Sequence, residues 1–221
     1  MTVNAPSEKT RLRRLHERGA YDRETIDAIL DAGALCHVGY VVDGSPYVTP
    51  TLYWREGDRV YWHGSSASRM LRKTVGADVC LTVTHMDGFV MARSGFHHSA
   101  NFRSVMIFGT AGKVEDAGEK LARMETFIEQ MFPGRWAQLR PVTDQELKAT
   151  TVLSIPIDEA SAKVRSGQPV DDEEDYALPV WAGVVPITVS LGAPEPCPRL
   201  AEGTPVPGHL THFVPGKRKM L

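Results

Sequence analysis

The chain has 221 residues and a formal net charge of −2. That balance offers no bulk attraction to nucleic acid or an anionic membrane, and the short basic run at 217–219 does not change it. No apolar run reaches membrane-spanning length.

Three widely separated cysteines, Cys36, Cys80 and Cys197, argue against a disulfide framework and a Cys-x-x-Cys zinc site. Cys36 and Cys80 read as core fillers in apolar runs. The first residues are polar and charged, without a signal-peptide core, so a reducing cytoplasm is expected.

Residues 1–20 read as a solvated arm carrying Arg11, Arg13, Arg14 and Arg18. Asp22 can cap a helix over 23–32, with Ile26, Ile29 and Leu30 on its buried face and Gly33 at its end. Strand signals follow over 35–42, 47–54 and 59–63, separated by turns at Asp43-Gly44 and Gly57-Asp58. A short helix over 68–75 precedes a strand over 79–84. Met86-Asp87-Gly88 reads as a turn into 89–93, and 102–114 as one long strand. Leu121, Met124, Phe127, Ile128 and Met131 recur three and four apart, which predicts a helix over 117–131. Thr143-x-x-Glu146 is a capping box. Strands are expected over 152–157 and 162–165, and an apolar segment over 179–186. Beyond 192 proline and glycine dominate and periodicity vanishes.

Short strands joined by hairpin turns, with few helices, predict a mainly β fold, an antiparallel barrel with peripheral helices. The expected organisation is an arm (1–20), one barrel domain (21–190) and a Pro/Gly-rich tail (191–221).

One stretch carries most of the chemistry. Tyr61-Trp62-His63-Gly64-Ser65-Ser66-Ala67-Ser68-Arg69 begins as a strand and breaks at a glycine. Ser68 then stands where a helix cap belongs, ahead of Arg69, Arg72 and Lys73. Hydroxyls and adjacent cations suit a phosphate group. The spacing is neither a P-loop nor a dinucleotide fingerprint. The plain alternative is a surface turn with solvated cations.

Taken in order, four features resemble the pyridoxamine 5′-phosphate oxidase-like, FMN-binding split-barrel family, near its nitroimidazole-resistance-type branch. They are Pro50-Thr51-Leu52-Tyr53; Trp62-His63-Gly64 leading to Ser68-Arg69; Asn101-Phe102-Arg103-Ser104-Val105; and Val180-Trp181-Ala182-Gly183. The resemblance implies a Greek-key-like, six-stranded split barrel with FMN at a homodimer interface. It places the phosphate on Ser68 and Arg69. It lines the cofactor with Pro50, Thr51, Leu52, Tyr53, Trp62, His63, Gly64 and Ser65. It brings Arg103, Ser104 and Trp181 from the partner subunit. The segment after Trp181 lacks the cations of true pyridoxamine phosphate oxidases, so vitamin B6 phosphate is not the expected substrate.

The reaction implied is a flavin-dependent oxidation or reduction of a small molecule, in which the cofactor does the redox chemistry. His63 is the candidate catalytic side chain, for proton relay or anion holding. Two readings compete: a flavin-binding protein without turnover, and a barrel that uses haem or a deazaflavin. Haem would draw on His63, His97 or His98 as an axial ligand. No metal site is expected at His97-His98, because adjacent residues on a strand point to opposite faces.

Overall fold

The computed structural model describes residues 6–211. Its strands are β1 (Gly19–Ala20), β2 (Leu35–Val42), β3 (Ser45–Glu56), β4 (Arg59–Ser65), β5 (Asp78–Met91), β6 (Ser99–Thr110), β7 (Gly112–Lys113), β8 (Thr150–Pro156), β9 (Glu159–Arg165) and β10 (Gly183–Pro186). Its α-helices are α1 (Arg23–Asp31), α2 (Arg69–Thr74), α3 (Ala117–Met131), α4 (Asp144–Ala149) and α5 (Gly208–Thr211). The basic run at 217–219 lies outside the described residues.

Every pairing is antiparallel, and the strands run β1-β9-β6-β5-β2-β3-β4-β8-β7, with β10 added on β5. The architecture is the mainly β split barrel. Alternating side chains from β2, β5, β6 and β8 meet inside it, including Val38, Leu81, Val105 and Ile155. The apolar stripe of α1, Ile26, Ile29 and Leu30, joins the same core. Asp22 caps α1 by accepting the Thr25 N–H.

Trp54, Tyr61, Val114, Phe127 and Val152 form a second cluster on the outer face, beneath α3. The capping box of α4 is complete: Thr143 accepts from the Glu146 N–H, and Glu146 accepts from the Thr143 N–H.

Two expectations are corrected. Asp87-Gly88 is not a turn, because β5 runs through it with a register shift between Met86 and Gly88. A Cβ at Gly88 would stand 2.8 Å from the Val185 carbonyl oxygen, so glycine here allows β10 to approach rather than reversing the chain. The long strand expected over 102–114 ends at Thr110, and Gly112–Lys113 cross to pair with β8.

Candidate functional site

The chain leaves β4 at Ser65 and turns tightly into α2. Ser66 N–H donates to the Ala149 carbonyl at 2.8 Å, and Ser68 N–H to the Ser65 carbonyl at 2.8 Å. A Cβ at Gly64 would stand 3.0 Å from Leu71 Cδ1, so the glycine lets the turn lie against the helix it feeds. Met70, Leu71 and Thr74 are buried, which forces Arg69, Arg72 and Lys73 outward.

Ser68 holds the N-cap position with extended backbone, yet its hydroxyl makes no capping bond. The Arg69 guanidinium lies 4.8 Å over the Tyr47 ring, which stacks in turn on Tyr40. Among the described residues, Arg69, Arg72 and Lys73 have no carboxylate partner. Arg55, Arg93, Arg103 and Arg123 by contrast are all ion-paired. Ser68, Arg69 and Tyr47 therefore form an outward edge with free hydroxyl and cationic capacity.

β3 passes beside this edge. Pro50 and Leu52 are exposed and Thr51 is half-buried. Tyr53 and Trp62 are completely buried in the barrel core. The Tyr53 hydroxyl donates to the Leu30 carbonyl, tying β3 to α1. Strand alternation turns both side chains inward, and the core packing closes over them. Trp62 Nε1 is left buried and without a partner.

His63 points the other way, toward α3. Its ring stands 4.8 Å from Phe127 and 6.0 Å from Trp54. Burial holds its pKa below the ordinary histidine value, so the imidazole is neutral. Neither ring nitrogen has a hydrogen-bond partner among the described residues, and Nδ1 is buried.

Arg103 and Ser104 are engaged within this chain. Arg103 donates to Asp87 in a fork, from Nε at 2.9 Å and Nη2 at 2.8 Å. That hydrogen bonding lowers the Asp87 pKa and raises that of Arg103. Ser104 Oγ donates to the Lys163 carbonyl at 3.3 Å. Trp181 is exposed just before β10 and packs one ring edge near Gly183.

Sequence reading missed the pair of Asp171 with Arg93. Asp171 falls in an acidic, proline-bearing stretch that reads as solvated surface, and nothing local signals its burial. His97 stands beside it, 4.0 Å from Asp171 and 3.9 Å from Asp172. Among the described residues, no group of three or more His, Cys, Asp or Glu side chains is arranged to hold a metal ion.

The outer face of the sheet is apolar. Leu35 and Val41 on β2, Val48 and Leu52 on β3, Met86 on β5 and Met106 on β6 are all exposed there. A cavity of about 620 Å³ shares this face and is lined by Tyr40, Val41, Tyr47, Val48, Cys80 and Phe108, among others. It meets the cationic edge through Tyr47. No described helix is long and apolar enough to cross a membrane.

Comparison with known proteins places these features in a family. Residues 22–164 match the family model described as pyridoxamine 5′-phosphate oxidase. No curated protein matches the chain. The solved flavocytochrome Anf3 from Azotobacter vinelandii is 50% identical, with a TM-score of 0.91, covering 96% of this chain and 99% of its own. An FAD and haem binding protein from Mycobacterium smegmatis is 38% identical, with a TM-score of 0.86, covering 90% and 98%. A protein described as a 5-nitroimidazole antibiotic resistance protein, from Bacteroides thetaiotaomicron, is 23% identical, with a TM-score of 0.55, covering 66% and 86%; it shares the fold. With the barrel, its strand order and these matches together, the chain belongs to the pyridoxamine 5′-phosphate oxidase family.

Proposed function

We propose that this chain is a flavin- and haem-binding redox protein that works as a homodimer on a small molecule. The observation that carries the flavin reading is the α2 edge. Three cations without carboxylate partners and an uncommitted Ser68 hydroxyl stand together in a chain of net charge −2. A buried or surface phosphate is the ligand such a set accommodates, through charge-assisted hydrogen bonds. Ser68 and Arg69 hold that phosphate, while Pro50, Thr51, Leu52, His63, Gly64 and Ser65 lie along the adjoining strands. These contacts account for an FMN unit. FAD, named for the relative at 38% identity, contains the same unit.

A flavin supplies electron transfer in one- or two-electron steps. The protein's part is to fix the phosphate, wall the ring and exclude water. The exposed apolar face of β2, β3, β5 and β6 supports the dimer, since contiguous apolar surface of this kind marks an interaction site. Trp181, exposed just before β10, is consistent with a contact to a second subunit. Haem enters the proposal through the relatives at 50% and 38% identity and through the uncommitted His63 imidazole.

The test is an absorption spectrum of the gel-filtered protein after incubation with FMN, FAD and hemin in turn, with released flavin identified by chromatography. Retention of about one flavin per chain, together with a Soret band, supports the reading. Retention of neither pigment refutes it. Haem-free flavin retention removes the second cofactor and leaves a flavoprotein.

A further inference from the structure

We infer that Trp54 is a redox-active side chain, which gives one electron to an oxidised haem on the His63 flank and its indole proton to Glu56. The inference rests on the haem-binding reading above, and adds to it a protein radical and the group that takes its proton. An indole becomes strongly acidic once it has lost an electron. A buried tryptophan is therefore a usable electron donor where an electron acceptor lies close by and a base already sits on its N–H.

Trp54 meets both conditions. Its Nε1–H donates to Glu56 Oε1 at 2.7 Å. Arg123 engages the other oxygen of the same carboxylate and fixes it in place. The Trp54 ring is completely closed to solvent. Its centroid stands 6.0 Å from the His63 ring and 5.0 Å from Phe127. On its other side it stacks on Tyr61, 5.5 Å away with the planes 17° apart. Packing alone accounts for the stacked rings, but not for a charged carboxylate aimed at the indole nitrogen of a buried cluster.

The other candidate donors lack one condition each. Trp62 is buried in the barrel, and its Nε1 has no partner to receive a proton. Trp136 and Trp181 lie outside the cluster that holds Trp54, and Trp181 is exposed. Tyr61 touches Trp54, but the Arg123 guanidinium stands 5.4 Å over its ring, where a cation opposes a positive hole. The Tyr61 hydroxyl has no acceptor among the described residues, and burial pushes its pKa up. The hole therefore rests on Trp54.

The step balances as follows. One electron leaves the Trp54 indole, and a haem that a peroxide has oxidised is reduced by one electron. The Nε1 proton passes to Glu56 Oε1. A neutral indolyl radical and a protonated Glu56 remain, so no cation is stranded on the buried ring. The protein thereby removes surplus oxidising equivalents from the haem flank.

The experiment loads purified full-length protein with hemin, mixes it with hydrogen peroxide and freezes it within milliseconds. Wild type, Trp54→Phe, Glu56→Gln and Tyr61→Phe are compared by electron paramagnetic resonance and electron–nuclear double resonance. Soret spectra and circular dichroism check that each variant is loaded and folded. The expected wild-type signal is a neutral tryptophanyl radical, identified by its narrowing when ring-deuterated tryptophan is incorporated. Trp54→Phe should lose it and Tyr61→Phe should keep it. Glu56→Gln should retain the indole proton and show a large N–H coupling that disappears in deuterium oxide. A tryptophanyl signal that survives Trp54→Phe, or a radical that vanishes in Tyr61→Phe, overturns the assignment to Trp54. A neutral radical unchanged in Glu56→Gln overturns the proton transfer. A Soret band in wild type without any protein radical overturns the inference while the haem-binding reading stands. No Soret band overturns that reading, and the inference with it.

Discussion

The Asp171 carboxylate accepts the Arg93 backbone N–H at 2.8 Å and Arg93 Nη1 at 2.9 Å, with its own side chain closed to solvent. The Arg93 guanidinium lies 4.9 Å over the Tyr176 ring, and the Tyr176 hydroxyl accepts the Asp171 N–H at 3.4 Å. This knot fastens the segment after β9 to the end of β5, and that segment leads to Trp181 and β10. Asp171→Asn should therefore loosen the connection without unfolding the barrel. Limited proteolysis should cut within 166–182 faster than in wild type. Unchanged cleavage would mean the knot is not what holds the segment.

The same pair gives a pH dependence with a definite sign. Burial opposes the Asp171 charge, but the Arg93 and Ser94 bonds outweigh it and hold its pKa below the ordinary 3.8. Asp87 is lowered in the same direction, by Arg103. A carboxylate depressed in the fold contributes stability that is complete above its unfolded pKa and lost as pH falls through the folded value. Thermal melts should thus be flat with respect to these groups above about pH 4 and fall below it. Asp171→Asn should shrink the acid-side fall.

Arg69→Ala should weaken flavin retention by roughly 10- to 100-fold, the loss of one or two charge-assisted hydrogen bonds. Because Arg69 has no carboxylate partner among the described residues, the melting temperature of the unloaded protein should barely move. Arg69→Lys should recover part of the affinity, since a point charge replaces a planar fork. Fluorescence titration with FMN and FAD measures both affinities, and a thermal melt of the unloaded protein checks the stability.

Val48 is 68% exposed and Val41 62% exposed on a continuous apolar face. Val48→Asp should convert a dimer to a monomer in sedimentation velocity, because a carboxylate cannot be buried there unpaired. The melt of the monomer should remain cooperative, since the barrel core lies on the opposite side of the sheet. A sedimentation profile identical to wild type would remove this face from the interface.

Phe127 is the buried contact of α3 with Trp54 and His63. Phe127→Ala should cost about 3–5 kcal/mol in urea unfolding.

Sequence patterning was enough for the barrel and its helices wherever structure follows from neighbours along the chain. The Asp22 and Thr143 caps, the α3 stripe and the hairpins at Asp43-Gly44 and Gly57 are local devices, and all stand as read. The outward cations of α2 follow from the same logic, since Met70, Leu71 and Thr74 must be the buried set.

What needed the tertiary structure was every property set by a distant partner. Adjacent strand residues such as Tyr53 and Trp54 must face opposite ways, but only the packed fold shows both faces buried, one by the barrel and one by α3. Gly88 looks like a turn residue until β10 is seen against it. Asp171 looks solvated until Arg93, 78 positions earlier, is seen beneath it. The sequence by itself determined the strand segments, helix faces and the cationic turn, because these depend on period and propensity. Only the packed fold decided which histidine is neutral, walled and uncommitted, because burial and hydrogen-bond partners belong to the whole chain.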